Sequence, residues 1–172
     1  MAGKMTVDYD ILDGVIDHIE ELRKSTGKIA AVALYKGAGV QAEQIKQYLR
    51  TVPTEPSRAV PRARNSTGPL NSATVEEIEA IGSHVGIAKY KDGGGEISTA
   101  IGFNGYMDTI TTKKWPKGFP IAMIVRSIES GSSVRNKHPF FRKAVKKGGP
   151  VATEAMAEAA TEEINKILEG GK

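Results

Sequence analysis

The side chains best able to do chemistry in this sequence are a run of early aspartates, three dispersed histidines, a glycine-rich loop beside a lysine, and a serine cluster. Asp8, Asp10 and Asp13 imitate the opening of a calcium loop. Such a loop also needs a mid-loop glycine and a closing bidentate glutamate at fixed offsets, and neither stands there. His18, His84 and His138 lie far apart in sequence, and only His18 has acids near helical spacing, so packing or surface roles are expected for all three. Lys91-Asp92-Gly93-Gly94-Gly95-Glu96 lacks the lysine–hydroxyl pair at a helix mouth that a phosphate cradle requires, and reads more simply as a hairpin turn. Ser130-Gly131-Ser132-Ser133 offers hydroxyls without a strand–turn–helix elbow or a placed histidine. No catalytic residue, cofactor or metal ligand is therefore predicted, and the chain is not expected to be an enzyme.

Composition narrows the classes further. The chain has 172 residues, 24 bases against 20 acids, 6% aromatic residues and no cysteine. At about 100–200 residues per domain that predicts one domain, 1–172, with a modest core. Zero cysteine removes thiol catalysis, zinc ribbons and iron–sulfur clusters. The longest apolar run, Ile29 to Tyr35, is seven residues, against the ~20 needed to span a bilayer, and the start lacks the apolar core of a signal peptide. A soluble, unsecreted chain without membrane partners is the expectation.

Charge is segregated along the chain. Asp8, Asp10, Asp13, Asp17, Glu20 and Glu21 come before any base other than Lys4, whereas Arg135, Lys137, Arg142, Lys143, Lys146 and Lys147 run without an acid. Either these are solvated faces that alternate in sign, or one copy's basic segment meets another copy's acidic helix. The basic run also contains Phe140 and Phe141, so a nucleic-acid-binding module using 135–147 is the alternative function. Helical spacing puts both phenylalanines with Ala144 and Val145 on an apolar face, which favours a core role.

The elements that would position these groups follow from periodicity. Ile11, Leu12, Val15, Ile16, Ile19 and Leu22 share one face of a helix stopped near Gly27. Residues 28–50 predict a second helix, weakened at Gly37 and Gly39. Pro53, Pro56, Pro61 and Pro69 with Arg58, Arg62 and Arg64 predict a basic extended arm at about 51–72. Thr74-Val75-Glu76-Glu77 predicts a capping box, and 84–91 with 96–104 predicts a β-hairpin. An irregular loop without regular pairing is expected at about 105–120, around Trp115. Ile121, Ile124, Val125 and Ile128 predict a short helix. Pro139 is read as opening another, stopped by Gly148-Gly149, and Pro150 as opening a last one with Met156, Ala160, Ile164, Ile167 and Leu168 in register. The fold class is α+β: N-terminal helices, a small antiparallel sheet including a hairpin, and C-terminal helices packed on it.

The order of the pieces adds a further reading. Thr67-Gly68-Pro69-Leu70, then Val85-Gly86-Ile87, then Ile128-Glu129-Ser130-Gly131-Ser132, then Pro139-Phe140-Phe141-Arg142-Lys143-Ala144 and a terminal helix resembles the tail-completion and head-to-tail joining proteins of tailed bacteriophages. Ser130 stands where that family usually has an aromatic residue, and Pro69 where it often has arginine. The resemblance implies a structural virion protein of the neck, assembled in the host cytoplasm. It would form a closed ring of its own copies, usually a hexamer, that completes or terminates the tail tube and joins it to the head connector. Tail tube protein and connector proteins would be its partners, with DNA passing close by in the lumen. Thr67, Gly68, Leu70, Glu129, Gly131, Pro139, Phe140, Phe141 and Ala144 would then be motif residues, Glu129 and Gly131 holding a turn. Arg58, Arg62, Arg64, Trp115, Arg142, Lys143, Lys146 and Lys147 would be interface candidates.

Overall fold

The computed structural model describes residues 9–55, 72–94, 96–111, 113–133 and 135–170, with side chains from Gly14 onward. The chain opens with a 41-residue helix, α1 (Tyr9–Leu49), where two helices were expected. Glycine weakens a helix interior by roughly 1 kcal/mol but does not forbid it, and tertiary packing can override that cost. At Gly37 the reason is visible: an added Cβ would collide with Met156 and lie 3.0 Å from the Ala152 carbonyl, so the missing side chain is what lets a second helix approach.

After α1, β1 (Thr54–Glu55) pairs in parallel with β2 (Ala73–Thr74), which leads straight into α2 (Val75–Ser83). The expected capping box is present: Glu77 N–H donates to Thr74 Oγ1 at 3.2 Å, and Thr74 N–H donates to Glu77 Oε2 at 3.1 Å. The expected hairpin follows as two antiparallel ladders. β3 (Val85–Ile87) is followed by β4 (Lys91–Asp92), β5 (Ile97–Ser98) and β6 (Ile101–Phe103); β3 pairs with β6 and β4 with β5. Ile97, Thr99, Ile101 and Phe103 alternate with exposed neighbours, as period-2 spacing requires. Gly94, at φ 78°, donates its N–H to Asp92 Oδ1 at 3.1 Å to close the turn.

The 105–120 tract departs from expectation at its ends. β7 (Tyr106–Met107) and β8 (Phe119–Pro120) pair antiparallel, and Pro120 is tolerated because each strand of a two-stranded pair is an edge. Gly118, at φ 108°, permits the close return, since a Cβ there would lie 2.6 Å from the Met107 carbonyl oxygen. Helix α3 (Ile121–Ser130) buries Ile121, Ile124, Val125, Ile128 and Glu129, with Pro120 as N-cap and Gly131 as C-cap.

The second large departure is α4 (Phe141–Gly170), a single 30-residue helix running through Gly148, Gly149 and Pro150, where two helices were expected. Pro150 removes one donor, but it is exposed, so the carbonyl four residues earlier can be hydrated. Gly148 sits where a Cβ would press on the Gln41 amide at 2.9 Å. The buried stripe of α4 is Ala144, Ala152, Ala159 and Glu163, offset from the expected one, which leaves Leu168 39% exposed. Helices α1 and α4 run antiparallel, tied by Gln41 Nε2 donating to the Ala144 carbonyl at 3.1 Å and by Lys28 Nζ against Glu163 Oε2 at 3.6 Å.

The fold is α+β. Ile45, Leu49, Val52, Ala73, Ile81, Met107, the buried isoleucines of α3, Phe140 and Ala144 form one apolar cluster, with Tyr48, Ile78, Ile101, Phe103 and Phe141 packed against it. No helix among the described residues is long and apolar enough to cross a membrane. Among the same residues no group of His, Cys, Asp and Glu is gathered to hold a metal ion.

Candidate functional site

The best-built polar structure in the molecule joins the end of α3 to the start of α4. Helix α4 begins with free backbone N–H groups, and no side chain of its own first turn is placed to accept them. Glu129, from the last turn of α3 and 7% exposed, supplies the acceptor. Its Oε2 accepts from Phe140 N–H and Phe141 N–H, both at 2.9 Å, and its Oε1 accepts from Arg142 N–H at 3.2 Å. One carboxylate thus caps a helix reached through a ten-residue connection, where the helix dipole also favours negative charge. Arg142 Nε returns to Glu129 Oε1 at 3.4 Å from a largely exposed side chain.

The connection itself is held at both ends. Gly131 has φ 77°, and a Cβ there would crowd Lys137 at 3.2–3.4 Å. The His138 N–H donates to the Ile128 carbonyl at 2.8 Å, and Ser132 and Arg135 form a bridge. Glu129 and Gly131 therefore hold a turn, and Glu129 also starts the next helix. Pro139 lies two residues before α4, Phe140 is 1% exposed, and Ala144 is fully buried. Phe103 meets Phe140 and Phe141 edge-on, with ring centroids 6.3 and 5.7 Å apart. Phe140 is buried in the core, whereas Phe141 is half-buried, packing on the core from the wall of the neighbouring groove.

Arg135 does not belong to the exposed basic face where its place in the sequence puts it. It is 7% exposed, and its Nη2 donates to both carboxylate oxygens of Glu77, at 2.9 and 2.8 Å. Burial strips both charges of water, so each is tolerated only with the other present. Glu77 thus serves α2 as a cap and the α3–α4 connection as an anchor. The capping-box spacing reveals the first role; a partner 58 positions away leaves no local signal.

Arg142, Lys143, Lys146 and Lys147 are exposed on the first turns of α4. Beside them, Leu34, Ile45, Ile101, Phe141, Val145 and Met156 line an open apolar groove of about 430 Å³ between α1, α4 and the hairpin. Trp115 is half-buried on the 105–120 loop, 6.5 Å from the Phe119 ring, with Lys114 Nζ 5.6 Å from its own centroid. Among the remaining candidates, Arg58, Arg62, Arg64, Thr67, Gly68 and Leu70 lie outside the described residues, as do the side chains of Asp8, Asp10 and Asp13.

Val15, Ile16 and Ile19, which share the apolar face read for the first helix, are 49%, 52% and 60% exposed. The reason is register. Lys28 lies opposite Glu163, so seven residues further on Gly170, the end of α4, lies opposite residue 21. Residues 9–20 of α1 continue past it for about 18 Å at 1.5 Å per residue.

Comparison with family models, curated proteins and solved structures finds no match to this chain.

Proposed function

We propose that this chain is a structural component of a tailed-bacteriophage neck. In this reading it assembles as a closed ring of its own copies that completes or terminates the tail tube and joins it to the head connector. The observation that carries the reading is the coupling of two motifs by which the sequence resembles such proteins. Glu129 of the Glu-Ser-Gly-Ser turn is the cap of the Pro-Phe-Phe-Arg-Lys-Ala helix start, with three backbone N–H groups on one carboxylate. Residues that bear the resemblance therefore form one physical unit. The unit works as a joint that orients the basic first turns of α4, Arg142 to Lys147, against the core. A ring of identical copies needs two different faces that fit each other, and those basic turns and the acidic first turns of α1, Asp10 to Glu21, supply opposite charge.

Electron microscopy of particles made with and without the protein tests the proposal. Overlong tubes in its absence indicate a terminator, and normal but unattached tails indicate a joiner. Particles that assemble normally without it, and contain none of it, overturn the reading.

A basic nucleic-acid-binding module is the second reading, supported by the exposed cluster Arg142, Lys143, Lys146 and Lys147. With Phe140 buried and Phe141 half-buried, such binding would rest chiefly on phosphate contacts, with steep salt dependence and little sequence preference. Such contacts also suit a ring through whose lumen DNA passes.

A further inference from the structure

The projecting part of α1 and the groove beside α4 are two unpartnered apolar surfaces of opposite charge on one chain. We propose that the arm of one copy docks into the groove of the next. The arm presents Val15, Ile16 and Ile19, about half or more exposed, on a helix whose residues 9–22 contain five acids and no lysine or arginine. The groove presents Ile101, Phe141, Val145 and Met156, with Val145 44% exposed. Arg142 and Lys146 each follow a groove-lining residue by one position, so they flank the opening on one side, and Lys143 and Lys147 stand further round the same helix. An amphipathic helix laid in an apolar groove with anchors one turn apart is an established mode of recognition, and the opposed charges set its direction.

Two alternatives are disfavoured by what the structure shows. A copy cannot fill its own groove: Ile16 and Gln41 lie on one unbroken helix, about 38 Å apart along its axis. Two arms packed through their apolar faces would set two acid-rich, base-free helical segments side by side, an arrangement that like charge opposes. What remains is a heterologous contact that uses one arm and one groove per copy, and repetition of one such contact closes a ring when its rotation permits. The inference deepens the ring reading and rests on it only for closure.

Because the chain contains no cysteine, single thiols can be placed at will. Full-length chains carrying Ile16→Cys are mixed with chains carrying Val145→Cys and treated with a short bis-maleimide. The expected product is a cross-linked pair in the mixture, enriched at least about tenfold over either variant alone. Cross-linking of Ile16→Cys to itself overturns the inference, as does a mixture that yields no pair. A second experiment reverses charge. Asp17→Lys/Glu20→Lys/Glu21→Lys and Lys143→Glu/Lys146→Glu/Lys147→Glu should each weaken self-association by about tenfold or more, and a one-to-one mixture of the two should recover it. Recovery shows that both variants are folded. Failure to recover, or loss of binding to a DNA duplex with self-association unchanged, counts against the contact. A neck that still contains the protein after these failures leaves the virion reading standing, whereas a confirmed contact in a protein missing from virions overturns that reading alone.

Discussion

At the scale of single residues, two carboxylates do more than their neighbours in sequence suggest. Glu129→Ala would leave three N–H groups at the start of α4 without their acceptor, and unfolding by denaturant should show a loss of about 2–3 kcal/mol. Arg135→Ala removes the partner of a buried carboxylate, for which a loss of about 3–5 kcal/mol is expected in the same measurement. By contrast Lys143→Ala, on an exposed side chain, should change stability by less than about 0.5 kcal/mol. The end of α3 near Gly131 was legible in the sequence because it is local: a polar residue and a glycine end an apolar period. The Glu77–Arg135 pair was not, because a buried ion pair between distant segments leaves no periodicity, and a base in a basic run looks exposed until its partner is located.

Among the elements, the instructive cases are the helices that glycine and proline failed to stop. Intrinsic preference argues for breaks at Gly27, Gly37 and Pro150, yet α1 and α4 are continuous because each stiffens the other along an antiparallel seam of alanines and glycines. Local signals cannot announce a seam. Gly27 and Gly37 separate the two effects. Nothing lies within 4 Å of a Cβ at the exposed Gly27, so Gly27→Ala should stabilise by about 1 kcal/mol through helix propensity. Gly37→Ala gains the same propensity but drives a methyl group into Met156 and toward the Ala152 carbonyl, so a net loss of about 1–2 kcal/mol is expected by thermal or denaturant unfolding.

The far end of the seam is sensitive to acid. The hydrogen bond from Lys166, aided by the positive charge of Lys28, holds the Glu163 carboxyl below the ordinary carboxylate range, and Glu163 in turn raises Lys166. A carboxyl group whose pKa is lowered on folding contributes stability that is present above its unfolded value, near pH 4, and is lost as pH falls through its lower folded value. Protection of amides around Lys28, corrected for their intrinsic exchange rates, should therefore fall below about pH 4, and Glu163→Gln should remove that dependence.

For the molecule as a whole, the α+β class, the capped α2, the hairpin and the α3 period were all readable from residue order, because each depends on contacts a few positions apart. The depth to which each helix is buried was not, since that depends on where its partner ends. Helix α1 shows this most plainly: Ala31, Ile45 and Leu49 are buried, whereas Val15, Ile16 and Ile19 of the same helix are bare. The mismatch has a hydrodynamic consequence. A compact globule of this length would have a radius of gyration of about 16 Å and a diameter near 40 Å, whereas α1 alone measures about 61 Å from end to end. In dilute solution small-angle scattering should give a maximum dimension above about 60 Å, and the isolated chain should sediment more slowly than a sphere of its mass. Its friction in water is thus set by a rod that its own body is too short to cover.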